Sequence, residues 1–373
     1  MSQEKITLGE LIRLQRGFDL TEVQRRPGKV PIVGSAGIHG FHDTAKASGP
    51  GVTLGRSGAS FGKVTFVRED FWPHNTTLFV TDFKGNDPAF VRYLLESMDF
   101  TSLNSGSAQQ SLNRNFLYPV PVPKFNLPTQ RKIAGILSAY DDLIENNLRR
   151  IKILGEMAQS LYREWFVHFR FPGHESARFV DSALGRTPEG WAVKKLGELA
   201  DQMRRGVPKG KLDQPFRYVG LEHIPRQSLA LDAWEETTEL GSNKLTFERG
   251  DVLFGKIRPY FHKVSVAPFD GICSADTIVI RSQKPEHRAL VTSCVFTEAF
   301  VAHATATSNG SKMPRTDWKV LKDYPLLLPP KTLLNRFSAV FEDSISQQQN
   351  LISRNQTLRQ TRDLLLPKLL QKS

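Results

Sequence analysis

The sequence predicts an α+β protein built from two related globular units, each followed by one of two long helices that pair as an antiparallel coiled coil. Three observations carry this. The chain has 373 residues, and at roughly 100–200 residues per domain that length asks for two or three domains. Blocks of residues recur in the same order in both halves, and a repeat of this size decides the architecture before any motif does. Each repeated block leads into a long stretch with apolar residues at steps of three and four, the spacing of a helix seam.

The repeat opens with Leu8-Gly9-Glu10-Leu11, closed at Gly17 after Gln15-Arg16, which recurs as Leu196-Gly197-Glu198-Leu199, closed at Gly206 after Arg204-Arg205. At an offset of 200, Gly55, Phe61, Lys63 and Val64 stand opposite Gly255, Phe261, Lys263 and Val264, and Asp70 opposite Asp270. The apolar run Thr77-Leu78-Phe79-Val80 then matches Thr277-Ile278-Val279-Ile280. Finally Gly106-Ser107 with Tyr118-Pro119 is echoed by Gly310-Ser311 with Tyr324-Pro325, two residues further on. These matches place the units at 1–128 and 172–330 and the helices at 129–171 and 331–373. Runs such as Val64–Val67 and Asp251–Phe254, bounded by Gly, Pro, Asn and Asp, read as strands. Asp87–Glu96 and Glu286–Val295 have helical spacing, so each unit mixes both element types.

Proline-bounded extended segments, Pro119–Pro123 and Pro325–Pro330, introduce the long helices, because proline disfavours the helical region for the residue before it. In the first helix the seam runs through Ile133, Leu137, Ile144, Leu148, Ile151 and Leu161; in the second it runs through Phe337, Phe341, Ile352 and Leu358. Such stripes need a partner, and the other copy is the nearest one. Gln348 and Asn355 interrupt the second stripe, either as buried polar residues that set register or as plain gaps. Pro367 is expected to end or kink that helix. At 1.5 Å per residue each helix would be roughly 50–60 Å long.

Fifty Lys and Arg against 38 Asp and Glu leave a net charge of +12, which points to polyanions as partners. The excess is spread evenly. Residues 1–128 hold 14 basic and 11 acidic side chains, 129–171 hold 7 and 5, 172–330 hold 22 and 19, and 331–373 hold 7 and 3. A basic tail is thereby excluded. The 2 cysteines, Cys273 and Cys294, are too few for a disulfide framework and suit a reducing compartment. No apolar run reaches the roughly 18 residues of a membrane span, so a cytoplasmic protein with no membrane partner is expected.

Gly55-Arg-Ser-Gly58-Ala-Ser-Phe-Gly62-Lys63-Val64 invites a phosphate-loop reading, but Ser57 stands where that pattern needs its first glycine and Val64 where it needs Ser or Thr. What is left is a loop whose Arg56, Ser57, Ser60 and Lys63 can meet phosphates and base edges; a plain strand connection is the alternative. The counterpart loop carries Lys256, Arg258, Tyr260, His262 and Lys263. Gln109, Gln110, Asn113 and Arg114 in the first unit, and Lys312 and Arg315 in the second, suit base readout, since amides pair with adenine and Arg with guanine. A simple turn is again the alternative. His39, His42 and His74 lack the cysteine or carboxylate companions of a zinc site, and no nucleophile elbow or paired catalytic carboxylates occur. No metal, no catalytic residue and no cofactor are expected in this chain.

Leu161-Tyr-Arg-Glu-Trp-Phe-Val-His-Phe-Arg-Phe-Pro-Gly173, followed by Leu184-Gly-Arg-Thr-Pro-Glu-Gly-Trp and Leu196-Gly-Glu-Leu199, resembles the specificity subunits of type I restriction-modification systems. Pro128-Thr-Gln130-Arg-Lys-Ile133 resembles the start of that family's central helix; in the second copy Leu334 replaces the Gln. The resemblance covers the whole chain and implies two target-recognition domains, each reading half of a bipartite double-stranded DNA target, with the helices setting the spacer. It also implies docking of two methyltransferase subunits, which bind S-adenosylmethionine, and through them restriction subunits that use ATP and magnesium. Catalysis would belong to those partners. A scaffold that joins proteins without touching DNA is the alternative.

Overall fold

The computed structural model describes residues 4–104, 106 and 110–371. The chain forms two compact units, one taking the chain up to Ile144 and again from Thr357, the other taking Glu145–Gln356. The boundary passes through both long helices.

Each unit builds the same four-stranded antiparallel sheet. In the first, β1 (Arg13–Arg16), β2 (Gly51–Gly55), β3 (Val64–Val67) and β4 (Thr77–Asp82) lie in the order β1-β4-β2-β3. In the second, β5 (Ala200–Met203), β6 (Val252–Gly255), β7 (Val264–Val266) and β8 (Thr277–Ser282) lie in the order β5-β8-β6-β7. The matched apolar runs are continuous because both faces of the central strands are covered. Side chains alternate across a strand: Val52, Leu54, Leu78 and Val80 enter the core that holds helix Pro88–Glu96, while Phe79 joins Val33, Val67 and Phe71 on the other face. In the second unit Val252, Phe254, Ile278 and Ile280 face one core and Leu253 and Val279 another. Around these sheets the units differ. A three-stranded sheet of Val30–Gly34, Gly37–His42 and Trp72–Pro73 flanks the first, and a five-stranded sheet that includes the long strand Gly210–Val219 flanks the second.

The Tyr-Pro match is displaced by two residues. Strand Lys5–Thr7 pairs with Pro121–Pro123, and Ala192–Lys195 pairs with Pro325–Leu328, with Thr7 opposite Pro121 and Lys195 opposite Pro325. Leu8 N–H donates to the Val120 carbonyl at 2.8 Å and Leu196 N–H to that of Tyr324 at 2.9 Å, so Tyr324 corresponds to Val120 and not to Tyr118. No insertion follows Gly310. Proline recurs at every second position from 119 to 123, and a two-residue slip therefore preserves the visible pattern.

The central helix spans Leu127–Tyr162 and widens into a π-turn at Arg163–Val167. The expected end at 171 is too late, because Phe169 turns left-handed at φ 54° and leaves the helix. The distal helix spans Lys331–Gln371 and runs through Pro367. Proline removes one i→i−4 hydrogen bond, but Leu365, Leu366, Leu369 and Leu370 pack into the first unit's core and hold the last turn in place. In each unit the two helices run antiparallel. Asp141 pairs with Arg362 in the first; in the second Asn147 Nδ2 donates to Asn355 Oδ1 at 2.8 Å, and Trp165 packs on Phe337 with ring centroids 6.0 Å apart.

Ile133 and Leu137 lie in the first core, Phe337 and Phe341 in the second, and Ile151 packs with Ile352; Ile144 is buried, Leu161 packs against the second core and Leu358 is half-buried. Leu148 departs from the expected seam, with 38% of its surface exposed. The seam passes through Asn147, and the next residue is rotated by about 100° at 3.6 residues per turn. Gln348 and Asn355 are buried at 2% exposure, so they stand on the seam. Among the described residues no single helix is long and apolar enough to cross a membrane.

Candidate nucleic-acid interface

The loop that leaves β2 returns on itself. Gly55 N–H donates to the Lys63 carbonyl and Gly62 N–H to that of Gly55, both at 2.8 Å. A Cβ at Gly55 would lie 1.9 Å from the Ser60 carbonyl oxygen, so only glycine fits. The glycines serve this tight return. In the second unit Gly255 N–H donates to Lys263 O, again at 2.8 Å, so the return closes at the same point, although His262 N–H turns to Pro259 O and not to Gly255 O. Gly58 (φ 78°) and Gly62 (φ 73°) are replaced by Arg258 and His262, both left-handed at φ 50°. A side chain there costs about 1–2 kcal/mol per residue, and strain of this kind gathers at functional sites.

Arg56 is fixed by its backbone: its N–H donates to Thr76 O at 2.9 Å and its carbonyl accepts from Leu112 N–H at 2.8 Å. Its half-buried guanidinium has no hydrogen-bond or ion-pair partner among the described residues, and it lines a cleft of about 520 Å³ together with Gln15, Arg16, Phe18, Ser111, Asn113 and Arg114. Arg16 Nε donates to Asn75 O at 3.3 Å, and Arg114 Nη1 to Leu14 O at 3.4 Å. Three arginines therefore converge from three separate segments. Arg16 is absent from the sequence-based set, although its place in the repeated Gln15-Arg16 and Arg204-Arg205 pairs was a usable signal.

The remaining residues divide. Asn113 caps the turn Arg114–Leu117 through Asn115 N–H at 3.0 Å, Gln110 supports the loop through its carbonyl, and Ser57 bridges to Ser111. Ser60 lends the loop its carbonyl, accepting from Lys63 N–H at 3.1 Å. Lys63 Nζ donates to Ala36 O at 2.7 Å while staying exposed. Gln109 lies outside the described residues.

In the second unit Lys256 repeats the backbone setting of Arg56, donating to Asp276 O at 2.9 Å and accepting from Thr316 N–H at 3.1 Å. Arg258 reaches Lys312 O at 3.4 Å, and Arg226 lies over the Phe261 ring at 4.1 Å. Tyr260, Lys312 and Arg315 are exposed. Two residues expected at the surface are not free there. His262 is buried, with Nε2 2.9 Å from Phe296 O, and burial lowers its pKa. Lys263 Nζ donates to Leu221 O, and its pKa falls through burial and the nearby Arg226. Cys273 and Cys294 are free thiols that burial pushes up to about 12. Among the described residues no group of His, Cys, Asp and Glu could hold a metal ion.

A family model described as the type I restriction modification DNA specificity domain matches residues 3–154. The type I restriction enzyme MjaIX specificity subunit of Methanocaldococcus jannaschii is 25% identical over 281 residues, covering 72% of this chain and 63% of that protein. The EcoDI specificity subunit of Escherichia coli is 28% identical over 191 residues, or 48% of this chain and 42% of the relative. The match thus spans less than two thirds of either relative's length. A crystal structure of the type I restriction-modification S subunit from M. genitalium covers 100% of this chain and 96% of its own, with a TM-score of 0.62 at 16% identity; this likeness is one of fold.

Proposed function

We propose, from the match of residues 3–154 to the type I restriction modification DNA specificity domain, that the chain is the DNA-specificity subunit of a type I restriction-modification complex. Each unit reads one half of a split double-stranded target, and the paired helices set the unread spacer. The observation that carries this reading is the repeated loop. A loop closed by the same glycine-to-lysine backbone hydrogen bond leaves the same sheet in both units and presents cations each time, Arg56 in one and Lys256 with Arg258 in the other. Different side chains on one framework are what two unlike half-sites require, since base identity is read by side chains and position by the backbone contacts.

The helices would dock two methyltransferase subunits, and restriction subunits through them. Exposed apolar side chains support this: Leu143, Ile153 and Met157 are each more than half exposed on the central helix, as are Val340 and Leu364 on the distal one. S-adenosylmethionine, ATP and magnesium belong to those partners, and the complex works on DNA in the prokaryotic cytoplasm.

The test combines the chain with its cognate methyltransferase subunits, measures binding to double-stranded DNA across salt, and sequences the methylated sites. A split motif is expected, with affinity falling roughly a thousandfold between about 50 and 200 mM salt as counterions are released. Methylation confined to no bipartite sequence contradicts the proposal, and binding indifferent to salt would favour a scaffold that joins proteins only.

A further inference from the structure

Superposing the repeats in register puts Asp276 where the first unit has Thr76. Each residue's carbonyl accepts the backbone N–H of the loop cation, Arg56 at 2.9 Å in one unit and Lys256 at 2.9 Å in the other. Their side chains differ in state. Thr76 Oγ1 is engaged, accepting from Ser35 N–H at 3.2 Å beside His74 Nδ1 at 3.3 Å. The Asp276 carboxylate makes no hydrogen bond among the described residues. Its nearest charged neighbours are Lys256 Nζ at 4.0 Å and Arg315 Nη2 at 3.9 Å, and its side chain is 36% exposed.

Those separations exceed hydrogen-bond range, so the oxygens keep their acceptor capacity. Exposed pairs this loose add little to stability. They do have an electrostatic consequence, because a bare carboxylate would be repelled by DNA phosphates and two flanking cations offset its charge. In the major groove only cytosine and adenine present an amino donor; guanine and thymine present acceptors that would repel a carboxylate.

We propose that Asp276 is a specificity-determining residue of the second unit, held between Lys256 and Arg315 to accept from the exocyclic amino group of a cytosine or adenine in its half-site. The first unit has no carboxylate there, and its Thr76 Oγ1 is already engaged by Ser35 N–H. Its Arg56 presents donors only and suits guanine. This rests on the specificity-subunit reading above.

The experiment sequences methylated sites in a host carrying all subunits, with the chain as wild type, Asp276→Ala or Asp276→Glu. In the wild-type motif one position of one half should be cytosine or adenine. Asp276→Ala, which removes the acceptor, should lower discrimination there roughly tenfold or more, leaving the other half unchanged, and Asp276→Glu should restore part of it. If the melting temperature of the Asp276→Ala protein drops, Asp276→Ser serves as a second variant. A wild-type motif that neither variant alters overturns the assignment, as does a changed salt dependence with an unaltered motif. A wild type with no split motif fails the specificity-subunit reading instead, so the two failures are distinguishable.

Discussion

The loops Gly55–Lys63 and Gly255–Lys263 leave and rejoin equivalent strands through the same backbone hydrogen bond and carry two sets of side chains. In the first, glycines occupy the left-handed positions at 58 and 62, and an unpaired Arg56 opens onto a cleft beside Arg16 and Arg114. In the second, Arg258 and His262 take those positions at φ 50°, and Lys256 and Arg315 flank a carboxylate. The path is set by backbone hydrogen bonds and by the two-faced burial of the sheet, neither of which depends on the loop side chains. The loop side chains are thereby free to diverge while the framework stays fixed. The second unit tolerates non-glycine residues because His262 is buried against the Phe296 carbonyl and Arg258 N–H donates to Pro314 O at 2.7 Å.

Substitutions can break this comparison at several depths. The framework should be the most sensitive. Phe337, fully buried against Trp165 and Phe166, occupies in the second repeat the place of Ile133 in the first. Phe337→Ala should cost about 3–5 kcal/mol and Ile133→Ala about 2–4 kcal/mol, read from urea unfolding; equal and small losses would mean that the helices are not integral to the two cores. The loops should respond oppositely to the same kind of change. Arg258→Gly relieves left-handed strain, and stability should rise by up to about 1 kcal/mol while DNA affinity falls. A fall in both would make Arg258 structural.

The smallest expected effect is on pH. His262 and His287 in the second unit, and His39 in the first, all have pKa values lowered mainly by burial. A histidine whose folded pKa lies below its unfolded value of about 6.5 contributes stability that is complete above that pH and is lost as pH falls below it. Acidification from pH 7.5 to 5.5 should therefore loosen both units, and hydrogen exchange in helix Arg288–Val295 should rise before that in Pro88–Glu96. The reverse order would contradict these assignments.

Much of the fold was legible because the repeat lies in buried strands: Thr77–Val80 and Thr277–Ile280 are alike since both faces of each are covered. The helix seams were legible for the same reason, with one exception at Leu148, displaced outward by Asn147. Gln130 shows why the family-like start of the central helix takes that residue. Its Oε1 accepts from Asp87 N–H at 2.9 Å, and its Nε2 donates to Asn86 at 2.7 Å and to Phe125 O at 2.9 Å; Leu334, its counterpart, is simply buried in the second core. The site was less legible. Arg16, Arg56 and Arg114 are brought together by strand pairing across distant segments, and in the second unit nothing local marks Asp276 as the neighbour of Lys256 and Arg315. His262 looked like a surface cation because it sits in a basic run, and only the fold shows its burial.

The central claim is that each unit reads its own half of the target. Sequencing methylated sites in a host carrying the complex with Arg56→Ala, and separately with Lys256→Ala, tests it most directly. Arg56→Ala is expected to relax a position in one half, and Lys256→Ala to affect only the other half. Relaxation of both halves by either substitution, or a motif unchanged by both, would contradict it.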